Sequence, residues 1–211
     1  MRAVIFDLWD TLVEWPPGEA VRLRERLAPI VGVADEEFNR RWAEMFRASQ
    51  TGPLDEAFRV LGVPGDQIEA QVAERHEFAQ RVLRPRPGTT GVLAELRGRG
   101  VKLAWVTNFT TQRQFLKLQA LGLADAADFL FTSEEAGADK PDPAILKLAL
   151  RRLKLSADEV WMLGDSLYDD FQMASAGGVR FVWFNRDDAT MPVPRPGAMV
   201  REWAQVKAMF G

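Results

Sequence analysis

Apolar and polar positions follow two rhythms along this chain. Five runs, at 3–6, 102–106, 128–131, 160–163 and 180–184, are four or five residues long and rich in Val, Leu, Phe and Trp, which predicts short buried strands. Between the later four, at 112–121, 143–153 and 168–176, apolar residues recur every three or four positions, the period of a helix. Strands alternating with helices predict an α/β fold. Its core would be a Rossmann-like parallel sheet whose crossover helices cover both faces.

Residues 15–85 break that rhythm, because they contain no strand-like run. Leu23, Leu27 and Ile30; Phe38, Trp42 and Met45; Leu54, Phe58 and Leu61; and Ile68, Val72, Ala79 and Val82 or Leu83 keep the helical spacing, separated by Gly- and Pro-bearing turns. The pattern predicts a four-helix segment inserted after the first strand. The expected organisation is therefore a core from 1–14 plus 86–211, with a helical unit at 15–85. A further core helix is expected at about 90–98, and the Pro-rich stretch 191–197 reads as a surface loop.

Composition narrows the class. With 211 residues, 47% of them hydrophobic, the chain can bury a substantial core. Its 27 Lys and Arg against 30 Asp and Glu leave a net charge of -3, with no basic block for nucleic acid or an anionic membrane. Apolar runs fall far short of the roughly 18 residues needed to span a bilayer, and no signal peptide is expected. The chain has no cysteine, which excludes disulfides, thiolate nucleophiles and Cys-held metals and suits a cytoplasmic protein. No protein partner is evident.

In open α/β sheets, ligands bind beyond the carboxyl ends of the strands. The polar residues there are Asp7, Asp10 and Thr11 after the first strand, and Thr107 and Asn108 after the second. Lys140 precedes the 143–153 helix, and Gly164, Asp165, Ser166, Asp169 and Asp170 follow the fourth strand. A fixed carboxylate such as Asp7 can attack phosphorus and form an aspartyl-phosphate. Further carboxylates beside it repel one another and a phosphate dianion unless a cation intervenes, and an all-oxygen set of this kind suits Mg²⁺. Asp7 and Asp165 are the expected direct ligands. Lys140 would supply positive charge, while Thr107, with backbone N–H groups, would bind phosphoryl oxygens.

The segments VIFDLWDTLV, WVTN, DKPDP and MLGDSLYDD, in this order around a helical insert, resemble the haloacid dehalogenase-like hydrolase superfamily. The resemblance spans the core and implies that residues 15–85 form a cap closing over the site. It also implies that Asp7 is the nucleophile and Thr107 the phosphoryl-binding hydroxyl, with Asn108 beside it, and that Lys140 stabilises the intermediate. The Mg²⁺ site would use Asp7, the backbone carbonyl of Trp9, Asp165 and Asp170, the last through a bound water. Asp169 stands where many relatives carry Asn, so which of the two adjacent acids serves the metal stays open at this stage. The implied substrate is a small phosphorylated molecule.

One position departs from the pattern. Most phosphatases of this kind carry a second Asp two residues after the nucleophile, where this chain has Trp9. A positioned general acid is worth roughly 10²- to 10⁴-fold, so its loss should slow transfer to poor leaving groups. Asp10, one residue on, is a candidate surrogate. An aromatic residue at this position also occurs in relatives that cleave carbon–halogen bonds without metal, making a 2-haloacid dehalogenase the first alternative, although those carry a small polar residue in place of Asp165. A catalytically weak relative that binds a phosphorylated ligand is the second. Plainer readings exist for several residues: Asp7 and Ser166 as helix caps, Asp142 and Pro143 as the start of a helix, and His76 and Trp42 as packing residues of the insert, although Trp15 and Trp42 could also line a substrate pocket.

Overall fold

The computed structural model describes residues 1–51, 54–185 and 197–210 and divides into two compact units, Met1–Glu14 with Arg84–Gly211, and Trp15–Leu83. The expected loop at 191–197 falls almost wholly outside the described residues.

In the first unit the chain forms β1 (Ala3–Phe6) and β2 (Val13–Glu14). The second unit supplies α1 (Glu19–Val31), α2 (Asp35–Thr51), α3 (Leu54–Leu61) and α4 (Ile68–Val82). The first unit then resumes with β3 (Arg84–Pro85), α5 (Thr89–Gly98), β4 (Lys102–Thr107), α6 (Thr111–Ala120), β5 (Phe129–Thr132), α7 (Ser133–Ala136) and α8 (Ala144–Leu153). It closes with β6 (Val160–Gly164), α9 (Gln172–Ala176), β7 (Arg180–Phe184), β8 (Ala198–Val200) and α10 (Trp203–Phe210).

Six strands make one sheet in the order β5-β4-β1-β6-β7-β8, and every pairing in it is parallel. All five expected strands are in it. The sixth, β8, carries only three residues and so no readable period. Because side chains alternate across a strand, β1 sends Ala3 and Ile5 to one face, where they join Ala104, Val106, Met162 and Phe181 under Ile145, Leu146 and Ala149 of α8 and Met173 and Ala174 of α9. Phe6 meets Trp105 edge-on at 5.7 Å and stacks on Trp203 of α10 at 5.9 Å. Both faces are therefore covered by helices, and the carboxyl end of β1 lies in the middle of the sheet. Burying Phe6 completely stabilises this centre, and truncation to alanine at such a site costs about 3–5 kcal/mol.

The elements of the second unit among the described residues are all helices, with an apolar cluster of their own made of Leu27, Phe38, Met45, Leu54, Ala57, Phe58, Leu61, Val63 and Ile68. Each expected helix contributes to it. Arg84 and Pro85, read from the sequence as the tail of this segment, instead pair antiparallel with Glu14 and Val13 in the first unit. Two-residue strands leave no periodic trace, so this ribbon was invisible in the pattern.

Candidate active site

The sheet's central strands deliver their polar ends to one place. Asp7 follows β1 directly, and its backbone N–H donates to the carbonyl of Leu163 in the neighbouring β6 at 2.9 Å. This bond fixes where the carboxylate leaves the strand. Lys140 donates from Nζ to Asp7 Oδ1 at 2.5 Å and to Asp170 Oδ1 at 2.8 Å, all three side chains being buried. Ligand-type oxygens of Asp7, Asp165 and Asp170 lie within 4.8 Å of one another. Thr11 donates from Oγ1 to Asp165 Oδ1 at 3.1 Å, and the indole N–H of Trp183 holds the Asp165 carbonyl at 3.0 Å.

Of the two adjacent acids, the fold brings in Asp170. Residues Leu167–Phe171 form a π-helical turn, a wider coil than the α-helix and frequent at functional sites. Ser166 caps it, its Oγ accepting from the Asp169 N–H at 2.9 Å while its own N–H donates to Asp170 Oδ2 at 3.2 Å. Asp170 is thereby buried against Lys140, whereas the Asp169 carboxylate lies beside the Ser166 hydroxyl at 3.4 Å. A Cβ on Gly164 would overlap the Asp170 carboxyl, which is why the residue before Asp165 is glycine.

Thr107 ends β4, buried, and its hydroxyl donates to the Asn108 carbonyl at 3.1 Å. Asn108 Oδ1 accepts the Lys140 N–H at 2.9 Å, tying the loop after β4 to the lysine segment. The completely buried Gln114 donates from Nε2 to the Asn108 carbonyl at 2.8 Å, and Ser133 Oγ accepts the Phe109 N–H at 3.0 Å. Neither Gln114 nor Ser133 was singled out in the sequence. The apolar pattern gave no signal for Gln114, because its neighbours Phe115 and Leu116 are the exposed ones.

Asp10 adopts the left-handed conformation at φ 62°, which glycine takes freely and Asp or Asn tolerates better than most. It does not join the group of Asp7, Asp165 and Asp170. Its carbonyl accepts from Arg86 Nε at 3.1 Å. The Trp9 ring lies beneath the Lys117 ammonium, 4.4 Å from the ring centre. Asp142 behaves as a helix start, its Oδ1 accepting the Ala144 N–H at 2.8 Å.

Burial pushes the Asp7 carboxyl well above the usual carboxylate range; the Lys140 ammonium opposes this, while the Asp170 and Asp165 carboxylates add to it. Burial alone would lower the Lys140 ammonium, but Asp170 and Asp7 outweigh it and hold the group firmly protonated. Lys140 bonds two of the three carboxylates, Asp7 and Asp170. The oxygen-only donors and their spacing fit a divalent hard cation such as Mg²⁺.

The sequence model of the haloacid dehalogenase-like hydrolases matches residues 1–178. A ribulose-1,5-bisphosphate 5-phosphatase of Halopiger xanaduensis is 34% identical, over 92% of this chain and 90% of that protein. The crystal structure of a HAD phosphatase from Thermococcus onnurineus superposes with a TM-score of 0.80 at 26% identity, covering 100% of this chain and 98% of that one. A 2-haloacid dehalogenase from Pseudomonas syringae gives 0.67 at 27% identity, covering 99% and 97%. With a six-stranded parallel sheet and acids at its strand ends, the chain belongs to the haloacid dehalogenase-like hydrolases.

Proposed function

We propose that this protein is a Mg²⁺-dependent phosphatase of small phosphorylated molecules, working through an aspartyl-phosphate on Asp7. The observation that carries this reading is the acid cluster: Asp7 shares its site with Asp165 and Asp170, which a metal-independent dehalogenation would not require. Trp9 is the feature that favours the dehalogenase, and metal dependence separates the two. The 34% identical relative, named for a sugar bisphosphate, supports the substrate class. The cysteine-free chain and the lack of a membrane-spanning helix among the described residues accord with a cytoplasmic location.

An Asp7 carboxylate oxygen attacks phosphorus, and the bond from phosphorus to the ester oxygen breaks. Lys140, bonded to Asp7, holds the carboxylate in place and offsets negative charge as it builds on the phosphoryl oxygens. The Thr107 hydroxyl turns from the Asn108 carbonyl to bind one of those oxygens. Asp7, Asp165, Asp170 and the Trp9 carbonyl would hold Mg²⁺, which when bound would supply positive charge to offset that of the phosphate and the carboxylates. The Trp9 indole N–H is too weak an acid to transfer its proton, so the leaving alkoxide must take a proton from solvent. Water then cleaves the acyl-phosphate, returning Asp7 and orthophosphate. The helical unit, from its place between the first two motifs, is assigned the choice of substrate.

The test is phosphate release from an aryl phosphate and from an alkyl phosphate, with and without Mg²⁺. Release that needs Mg²⁺ and vanishes in Asp7→Asn supports the reading. The absence of a general acid predicts an aryl preference of about 10²-fold or more. Halide release from a 2-haloacid without metal, with no phosphate release, overturns it.

A further inference from the structure

Asp165 is the first residue past the ladder of β6 with β7, whose last pair sets Gly164 opposite Trp183. It is held from both neighbouring strands. From the side of β1, the Thr11 hydroxyl donates to its carboxylate; from the side of β7, the Trp183 indole N–H donates to its backbone carbonyl at 3.0 Å. Trp183 is 3% exposed and belongs, with Phe181 and Met173, to the apolar cluster on that face of the sheet. A ring packed in this way has little freedom to turn, and its nitrogen can only donate.

The Asp165 carbonyl and the Ser166 N–H are the two ends of one peptide unit. That unit is planar and trans, so its carbonyl and its N–H point in opposite directions. The Ser166 N–H donates to Asp170 Oδ2 at 3.2 Å. Holding the carbonyl end of the plane therefore aims the donor at the other end, and one indole bears on two of the three clustered acids. We propose that Trp183 is a positioning residue for the metal site: by fixing the Asp165–Ser166 peptide plane it sets Asp165 directly and Asp170 through the Ser166 N–H. This rests on the Mg²⁺ reading above and deepens it. In the apolar pattern Trp183 is one more residue of a buried strand, and only its hydrogen bond separates it from its neighbours.

The test is Trp183→3-benzothienylalanine, which keeps the shape of the ring and puts sulfur where the N–H was, with the Kd for Mg²⁺ measured by calorimetry well below the melting temperature. Groups that orient metal ligands are worth about tenfold or more in metal affinity, so the Kd should rise by about that factor. The Mg²⁺ concentration for half-maximal aryl phosphate turnover should rise with it, while kcat at saturating Mg²⁺ stays close to that of the parent. A packing role alone would lower the melting temperature and leave the Kd unchanged. Trp183→His and Trp183→Phe are the second test should that variant not fold. Both rings are smaller than indole, but the imidazole Nε2 can donate from the ring position of the indole nitrogen, so Trp183→His should bind Mg²⁺ more tightly than Trp183→Phe. Equal Mg²⁺ affinities in the parent and the benzothienylalanine variant, or in the His and Phe variants, overturn the role of Trp183. Absence of Mg²⁺ binding in the parent overturns the metal reading along with it. Mg²⁺ binding without phosphate release removes the phosphatase reading alone, and the affinity ratios still decide the part played by Trp183.

Discussion

Asp7 is an acid placed where its charge is hard to sustain alone. Burial, opposed by Lys140 but reinforced by two neighbouring carboxylates, raises its proton affinity above that in the unfolded chain. A raised carboxyl contributes stability that is fully present below the ordinary carboxylate range and is lost as pH rises through the elevated value. Metal-free protein should therefore melt at a higher temperature in weakly acidic than in neutral buffer. The increment from Mg²⁺ should grow over the same span, and Asp7→Asn should flatten both profiles in a thermal titration with and without the metal. Gly164 is the matching steric constraint: Gly164→Ala puts a methyl where the Asp170 carboxyl lies. Overpacking of this kind costs about 1–3 kcal/mol. Denaturation should show that loss, and Mg²⁺ titration a weaker site; a variant of unchanged stability and affinity would mean that Asp170 is free to move.

The elements show how local irregularity aims the chemistry. The π-helical turn at Leu167–Phe171 directs Asp170, rather than Asp169, to Lys140, an outcome that the spacing of two consecutive acids left open. Phe109, at φ 91°, lies in the bend after β4, next to Asn108, whose Oδ1 accepts the Lys140 N–H. In α6 the sequence pattern misleads: Phe115 and Leu116 are 46% and 51% exposed, while Gln114 is completely buried. Its amide is held inside by the Asn108 carbonyl, which also receives the Thr107 hydroxyl. Gln114→Leu removes one of two donors to that carbonyl and also a buried amide oxygen without a partner. The two effects oppose each other, so stability should change by less than about 1 kcal/mol. The loop carrying Thr107 loosens nonetheless. The expected signature is a KM for aryl phosphate raised several-fold with the melting temperature nearly unchanged; an unaltered KM would reduce Gln114 to a packing residue.

On the scale of the whole chain, what was legible follows from what has a period. The five long strands and four inserted helices repeat apolar positions often enough to be read, and acids at strand ends are conspicuous because a buried strand has no other use for them. Two- and three-residue strands such as β2, β3 and β8 have no period, and the side chains of Asp165 and Asn108 meet Thr11 and Lys140, which are far away in sequence. The ribbon of β2 with β3 nevertheless has a consequence that can be tested. Because Glu14 pairs with Arg84, the chain leaves and re-enters the sheet-containing unit at adjacent points, and each unit has an apolar cluster of its own. Replacing Trp15–Leu83 by Asn-Gly, a pair suited to a tight hairpin turn, should leave a chain that unfolds cooperatively and binds Mg²⁺ within about twofold of the parent, as separate sites do. If the helical unit selects the substrate, the shortened enzyme should keep Mg²⁺-dependent turnover of an aryl phosphate and lose discrimination among alkyl phosphates. Retained discrimination would place specificity in the sheet-containing unit instead.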